Sequence, residues 1–209
     1  PGYDWNGNPI ETEDGYLLSG QFSGTVDFGG ITRTASADSV YGDGGSDQLN
    51  GEGGNDLVQG GGENDSLFGG DGDDTLDGGQ GADSVDGGAG NDVIDLTTAD
   101  FASDVAYGGA GNDSLTSRFD LDGGSDTLFG GDGRDTFVAG AGDSVVGGEG
   151  GDDFDTLDLS TVPVAGTITL TGNGVETATG GGGTLTFSEV EAITGTANAD
   201  TVFGGADST

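Results

Sequence analysis

GGDGDDTLDGGQGADSVDGGAGNDVID, residues 69–95, is one nine-residue phrase written three times. Each copy opens on a glycine pair, has a third glycine at position four, aspartate at position six and a single Leu, Val or Ile at position eight. A period of nine matches neither a helix of 3.6 residues per turn nor the two-residue alternation of a flat strand. It matches a turn followed by a very short strand, repeated.

Counting outward, six units run without a gap from Gly42, with position six at Asp47, Asp56, Asp65, Asp74, Asp83 and Asp92. Upstream, RTASADSVY at 33–41 keeps the register through Asp38 and Val40 although its glycines are gone. Downstream the count slips and recovers through Asp104, Asp113, Asp126, Asp135, Asp143 and Asp152. The surplus residues predict loops near 97–103 and 117–120 bulging from an otherwise continuous stack. From Thr156 the pattern changes: TITLT (167–171) and TLTF (184–187) alternate apolar residues with threonine, the mark of half-buried strands. Then ITGTANADTVFGG at 193–205 nearly repeats ITRTASADSVYGD at 31–43. The chain therefore divides into an N-terminal cap or strand segment (1–32), a repeat block (33–155), a threonine-rich β segment without position-six Asp (156–194) and the start of a second block (195–209). With Pro1 in front, it reads as a segment of something longer.

Composition limits what such a chain can meet. In 209 residues there are 49 glycines and 39 acidic side chains against 3 basic ones, a net charge of -36. That field excludes nucleic acid and an anionic membrane surface as direct partners and calls for cations. No apolar run approaches the ~18 residues of a membrane span, so no membrane insertion is expected, and no signal-peptide pattern opens the chain. Without cysteine no disulfide framework exists. Gly-rich acidic composition alone suggests disorder, but strict periodicity argues against it.

If successive units make opposite sides of a flattened coil, two nonapeptides close one coil of eighteen residues. Position eight then points inward, and neighbouring coils hydrogen-bond at the ~4.8 Å strand spacing. One aliphatic side chain per nine residues makes a narrow core, and the acidic charge opposes closure. Something outside the chain must complete the stability. Glycines at positions one, two and four allow backbone angles closed to other residues, so carbonyl oxygens can point into the gap between stacked turns. Position six adds carboxylates. A hard cation taking 6 to 8 oxygens at about 2.3 to 2.6 Å suits that cage, which makes calcium the natural choice. Magnesium prefers stricter octahedra with several waters, and zinc would want the His or Cys that are absent. Alternation of sides predicts two ladders, Asp47, Asp65 and Asp83 on one edge and Asp38, Asp56, Asp74 and Asp92 on the other. An EF-hand is excluded, since twelve residues counted from Asp71 end on Ala82 in place of the bidentate Glu. Asp as a merely solvated turn former would explain one unit, but not six in register.

The pattern resembles the repeats-in-toxin (RTX) family, whose nonapeptide GGxGxDxUx binds calcium in a parallel β-helix. Residues 33–155 carry the resemblance, with a renewed start at 195–209. It implies an all-β fold, a right-handed parallel β-roll with two nonapeptides per coil, several calcium ions between stacked turns, secretion by bacteria, and folding triggered by external calcium. By the same resemblance the carboxylate role falls on Asp38, Asp47, Asp56, Asp65, Asp74, Asp83, Asp92, Asp104, Asp113, Asp126, Asp135 and Asp152. Backbone carbonyls of Gly70, Gly72, Gly79, Gly81, Gly88, Gly90, Gly109, Gly111, Gly131 and Gly133 should complete the cages. Glu63 in place of a fourth-position glycine and Asp143 in a shortened unit depart from the pattern.

These features lead to a non-catalytic, extracellular calcium-binding module. The alternative is a repeating subunit of a filament, surface layer or adhesin, self-associating through neighbouring modules, which rests on the recurrence of residues 31–43 at 193–205. In that case the aromatics Tyr3, Trp5, Tyr16, Phe22 and Phe28 either cap the first coil or dock on a neighbour, and capping is preferred because an open solenoid end pairs indiscriminately. Catalysis is disfavoured: no His, Lys or Cys can act as base or nucleophile, and the aspartates have a better explanation as ligands. The sequons at Asn64 and Asn112 fall inside the turns and are explained by the repeat, and the threonines at 167–171 by strand propensity.

Overall fold

The computed structural model describes residues 37–97, 102–117, 124–148, 154–160, 176–180 and 183–196, and the backbone of short strands at Gly2–Tyr3, Pro9–Ile10, Leu17–Leu18, Gly24–Thr25, Thr167–Thr169 and Thr201–Phe203. The proposed aromatic cap concerns side chains outside these residues.

The chain is an all-β parallel solenoid with no helix among the described residues, so none is long and apolar enough to cross a membrane. Successive strands alternate between two sheets. Sheet one holds Asp47–Gly53, Ser66–Asp71, Ser84–Ala89, Val105–Ala110, Thr127–Asp132 and Ser144–Val146 in order. Sheet two holds Ser39–Tyr41, Leu57–Gly62, Thr75–Gln80, Val93–Leu96, Ser114–Ser117, Thr136–Val138, Thr156–Asp158 and Ala192–Thr194. Each strand pairs in parallel with the strand one coil away.

The expected inward rows are present. Leu49, Leu67, Val85, Ala106, Leu128, Val145 and Phe187 stand in register along sheet one, and Val40, Val58, Leu76, Ile94, Leu115, Phe137, Leu157 and Ile193 along sheet two. All but Ile193 are buried, in one shared core. Val85 pairs with Ala106, three residues beyond the eighteen-residue step, and Ala106 with Leu128, four beyond it. The surplus residues are thus absorbed between strands without a slip of register, because a slip of one residue would turn the whole row outward.

The threonine-rich segment continues the stack. Gly183–Ser188 adds in parallel to Ser144–Val146, while Glu176–Gly180 and Thr167–Thr169 extend sheet one by antiparallel pairing. Thr201–Phe203 then pairs in parallel with Thr167–Thr169.

With one aliphatic side chain per turn, each is heavily weighted. Leu76→Ala, at a fully buried site, should destabilise the calcium-loaded chain by about 2–5 kcal/mol. The exposed neighbour Thr75→Ala should cost little. Thermal unfolding of both variants checks this, and equal shifts would contradict the core assignment.

Candidate metal centre

The inward face of each strand holds more than the aliphatic residue. Positions six, eight and one alternate inward, so the aspartate and the first glycine are buried on either side of it. Asp38, Asp47, Asp56, Asp65, Asp74, Asp83, Asp92, Asp104, Asp113, Asp126 and Asp135 are all buried. Inward carboxylates need partners, and the first partner is the backbone of the coil below. The N–H of Asp56 donates to Oδ1 of Asp74 at 2.7 Å, and that of Asp74 to Oδ1 of Asp92 at 2.8 Å. This rule builds two ladders. One runs Asp38, Asp56, Asp74, Asp92, Asp113, Asp135 and Asp155. The other runs Asp47, Asp65, Asp83, Asp104, Asp126 and Asp143. Each carboxylate continues the ladder of backbone bonds through the turn, where the sheet itself has ended.

The second oxygen is left over. Oδ2 of Asp65, Asp74, Asp92 and Asp113 is buried with no hydrogen-bond partner, as are both carboxylate oxygens of Asp47. A buried anionic oxygen without a donor is costly, so each of these atoms needs either a proton or a cation. Beside them the glycines form the rest of a cradle. Gly90 and Gly111 have φ of 140°, in the region where L side chains are strained. A Cβ on Gly111 would overlap the carbonyl oxygen of Gly90 one coil below. The same relation joins Gly72 to Gly54, Gly88 to Gly70, Gly109 to Gly88, Gly131 to Gly109 and Gly133 to Gly111. Likewise Gly70 stands over Glu52, Gly79 over Gly61 and Gly81 over Glu63. Carbonyl oxygens at positions two and four therefore point along the stack into the gap between turns.

Position one has a different reason for being glycine. Forbidden backbone angles were expected there as at positions two and four, but Gly69 and Gly87 are not left-handed. The cause is space: a Cβ on Gly69 would overlap Oδ2 of Asp74 and crowd the carbonyl oxygen of Gly87.

Burial disfavours the charged form of these acids. It pushes Asp65 and Asp74 up to about 6 and Asp113 to about 7, and raises Asp47 and Asp92 as well. At the exposed turn surface the order reverses: the N–H and side-chain amide of Asn91 hold Asp73 below the usual carboxylate range. Among the described residues no three acidic side chains converge. An ion between turns would thus be held mainly by carbonyl oxygens with carboxylates in the minority, an oxygen-only set that fits calcium.

Two ends of the ladders escaped the sequence pattern. The rung above Asp135 is Asp155, whose Oδ1 accepts the N–H of Asp135 at 2.7 Å; Asp152 lies outside the described residues. The clue was Asp155-Thr156-Leu157, the same triplet as Asp74-Thr75-Leu76. Above it, Glu191 Oε2 accepts the N–H of Asp155 at 2.6 Å, and Glu191-Ala192-Ile193 stands in for Asp-x-aliphatic. Asp143 joins the second ladder despite its shortened unit, but Ser117 Oγ (2.7 Å) and the N–H of Gly140 (2.6 Å) already occupy its Oδ2. Over Asp143 the stack continues with buried Leu185 in place of a carboxylate.

Glu63, Asp43 and Glu52 stand in glycine slots and adopt φ of 73°, 65° and 74°. For Glu63→Gly, relief of that strain should outweigh the added chain entropy and stabilise the loaded fold by about 0.5–1 kcal/mol. A calcium titration should show a midpoint lowered about twofold, and a raised one would contradict the strain argument.

A family model for the RTX calcium-binding nonapeptide repeat, in 4 copies, matches residues 34–58, 59–94, 98–119, 120–155 and 190–208, more than half of the chain. No curated protein matches the chain significantly. Nonapeptide repeats of this kind bind calcium, and the stacked aspartates are consistent with several ions.

Proposed function

Because the chain belongs to the RTX calcium-binding nonapeptide-repeat family, we propose that it is a non-catalytic module, extended where calcium is scarce and rigid where calcium is abundant, outside the cell. The observation that carries this reading is the row of buried carboxylate oxygens without donors at Asp65, Asp74, Asp92 and Asp113. Those atoms make the coil costly without a cation. The residues that would hold the ions are the position-six aspartates of adjacent turns with the position-two and position-four carbonyls between them. Binding to the folded state alone stabilises it by about 2.7 kcal/mol per site at a hundred times the dissociation constant. Several stacked sites make the transition steep, and extracellular modules bind in the range of about 10⁻⁴ to 10⁻³ M. Export through a calcium-poor cell interior in an unfolded state follows from the same linkage.

Circular dichroism during a calcium titration is the test. A cooperative gain of β signal near millimolar calcium is expected, and a full β signal in excess chelator would overturn the reading. The recurrence of residues 31–43 at 193–205, with Thr201–Phe203 adding to sheet one, supports a second reading, a tandem module of an extracellular assembly. Light scattering in calcium separates the two, since a monomer would count against assembly.

A further inference from the structure

The two edges of the solenoid differ in three ways. On the edge where sheet one passes into sheet two, five six-residue turns stack in succession: 51–56, 69–74, 87–92, 108–113 and 130–135. On the opposite edge, among the described residues, only 42–47, 60–65 and 78–83 do so. The turns that follow there, before Asp104 and Asp126, lack the first-position glycine and have Ala99 and Leu121 five residues ahead of the aspartate. Among the described residues, five complete turns enclose four gaps, and three enclose two.

Position five separates the edges further. On the first edge the N–H of Asp73 donates to Asn55 Oδ1 (3.1 Å), that of Asn91 to Asp73 Oδ1 (2.8 Å), that of Asn112 to Asn91 Oδ1 (2.9 Å) and that of Arg134 to Asn112 Oδ1 (2.9 Å). These bonds hold every complete turn to the next without an ion. In the three complete turns of the second edge, among the described residues, the matching bond runs from the N–H of Ala82 to Asn64 Oδ1 (3.1 Å), and Ala82 offers no acceptor to continue it. Left-handed non-glycine residues also fall unevenly, Glu52 in one of five turns against Asp43 and Glu63 in two of three. Both edges carry buried carboxylate oxygens without donors, Asp74, Asp92 and Asp113 on the first and Asp47 and Asp65 on the second.

We propose that calcium loads the two edges unequally: the first edge, with four complete gaps held in register by its position-five ladder, fills before the second, which has two. This rests on the calcium-module reading and adds to it an order and a stoichiometry. Ordering a turn costs conformational entropy that ligand binding must offset. Where side-chain bonds already align neighbouring turns, less of the binding free energy is spent on alignment.

The unmutated chain tests this by residue-resolved NMR during a calcium titration. Amide signals of Gly72, Gly90 and Gly111 report the first edge, and those of Gly62 and Gly81 the second. With net hydrogen-bond contributions near 1 kcal/mol, first-edge midpoints are expected at about threefold to tenfold lower calcium. Metal analysis of the dialysed, saturated chain should give about six ions, one per complete gap. Asn91→Ala should draw the first-edge midpoint toward the second. Coincident midpoints, a reversed order or about ten or more ions would overturn the proposal. A chain that binds no calcium at all would instead sink the module reading.

Discussion

Gly111→Ala should prevent the calcium-loaded fold at millimolar calcium, whereas Gly44→Ala should leave it unchanged. The two substitutions add the same methyl group to the same motif. At Gly44 nothing lies within 4 Å of the added carbon and the backbone is not left-handed. At Gly111 the carbon falls on the carbonyl oxygen of Gly90, and φ of 140° is closed to alanine. Rotating that carbonyl away would remove an oxygen from the gap between turns, so strain and loss of a ligand position add. The stack cannot yield by spreading, because Gly111 N–H donates to Asp132 O and Gly90 N–H to Ala110 O at 2.8 Å in the coils above. The combined cost is expected to exceed about 4 kcal/mol, the range reserved for core and backbone lesions. Calcium-dependent circular dichroism of both variants decides it. A Gly111→Ala chain with a normal midpoint would falsify the cradle.

The period of nine carried most of the fold because it specifies geometry at two levels. An aliphatic residue at position eight of each nine-residue unit fixes which face of each strand turns inward, and two units per coil place Asp38, Asp56, Asp74 and Asp92 in one column. Composition could not show that the aspartates face the interior. That follows from the strand beginning at position six, so that Asp, Leu and Gly alternate onto one face. Nor could a motif count reach Asp155 or Glu191. Three extra residues put Asp155 off the count of nine and Glu191 belongs to no glycine turn, so the Asp-Thr-Leu triplet marks the first while hydrogen bonds to the coil below place both. The glycine at position one is constrained by a neighbouring carboxylate, which local backbone geometry does not contain.

Protons should compete with calcium for these carboxylates, and the direction is fixed by burial. In the calcium-free coil Asp65 and Asp74 titrate near 6 and Asp113 near 7, above an ordinary aspartate. The folded, metal-free coil therefore binds more protons than the unfolded chain. Its stability from these groups is fully present below about pH 4 and is lost as pH rises through 6 to 7. Chelated protein at pH 7.5 should accordingly be unfolded and should regain β signal on acidification toward pH 4. Near its pI of about 4.1 the self-repulsion of the chain vanishes as well, so dilute samples monitored by light scattering are needed to separate folding from precipitation. The loaded state behaves in the opposite sense, because a cation requires the ionised carboxylate. Each proton displaced per ion raises the calcium midpoint about tenfold per pH unit below the carboxylate pKa. Between pH 7.5 and 5.5, as the protonated coil comes to replace the unfolded chain, the midpoint should climb by up to about tenfold, with proton release on calcium binding seen as buffer-dependent heat in calorimetry. If the midpoint stays constant across that interval, the buried oxygens of Asp65, Asp74 and Asp113 are not where calcium and protons meet.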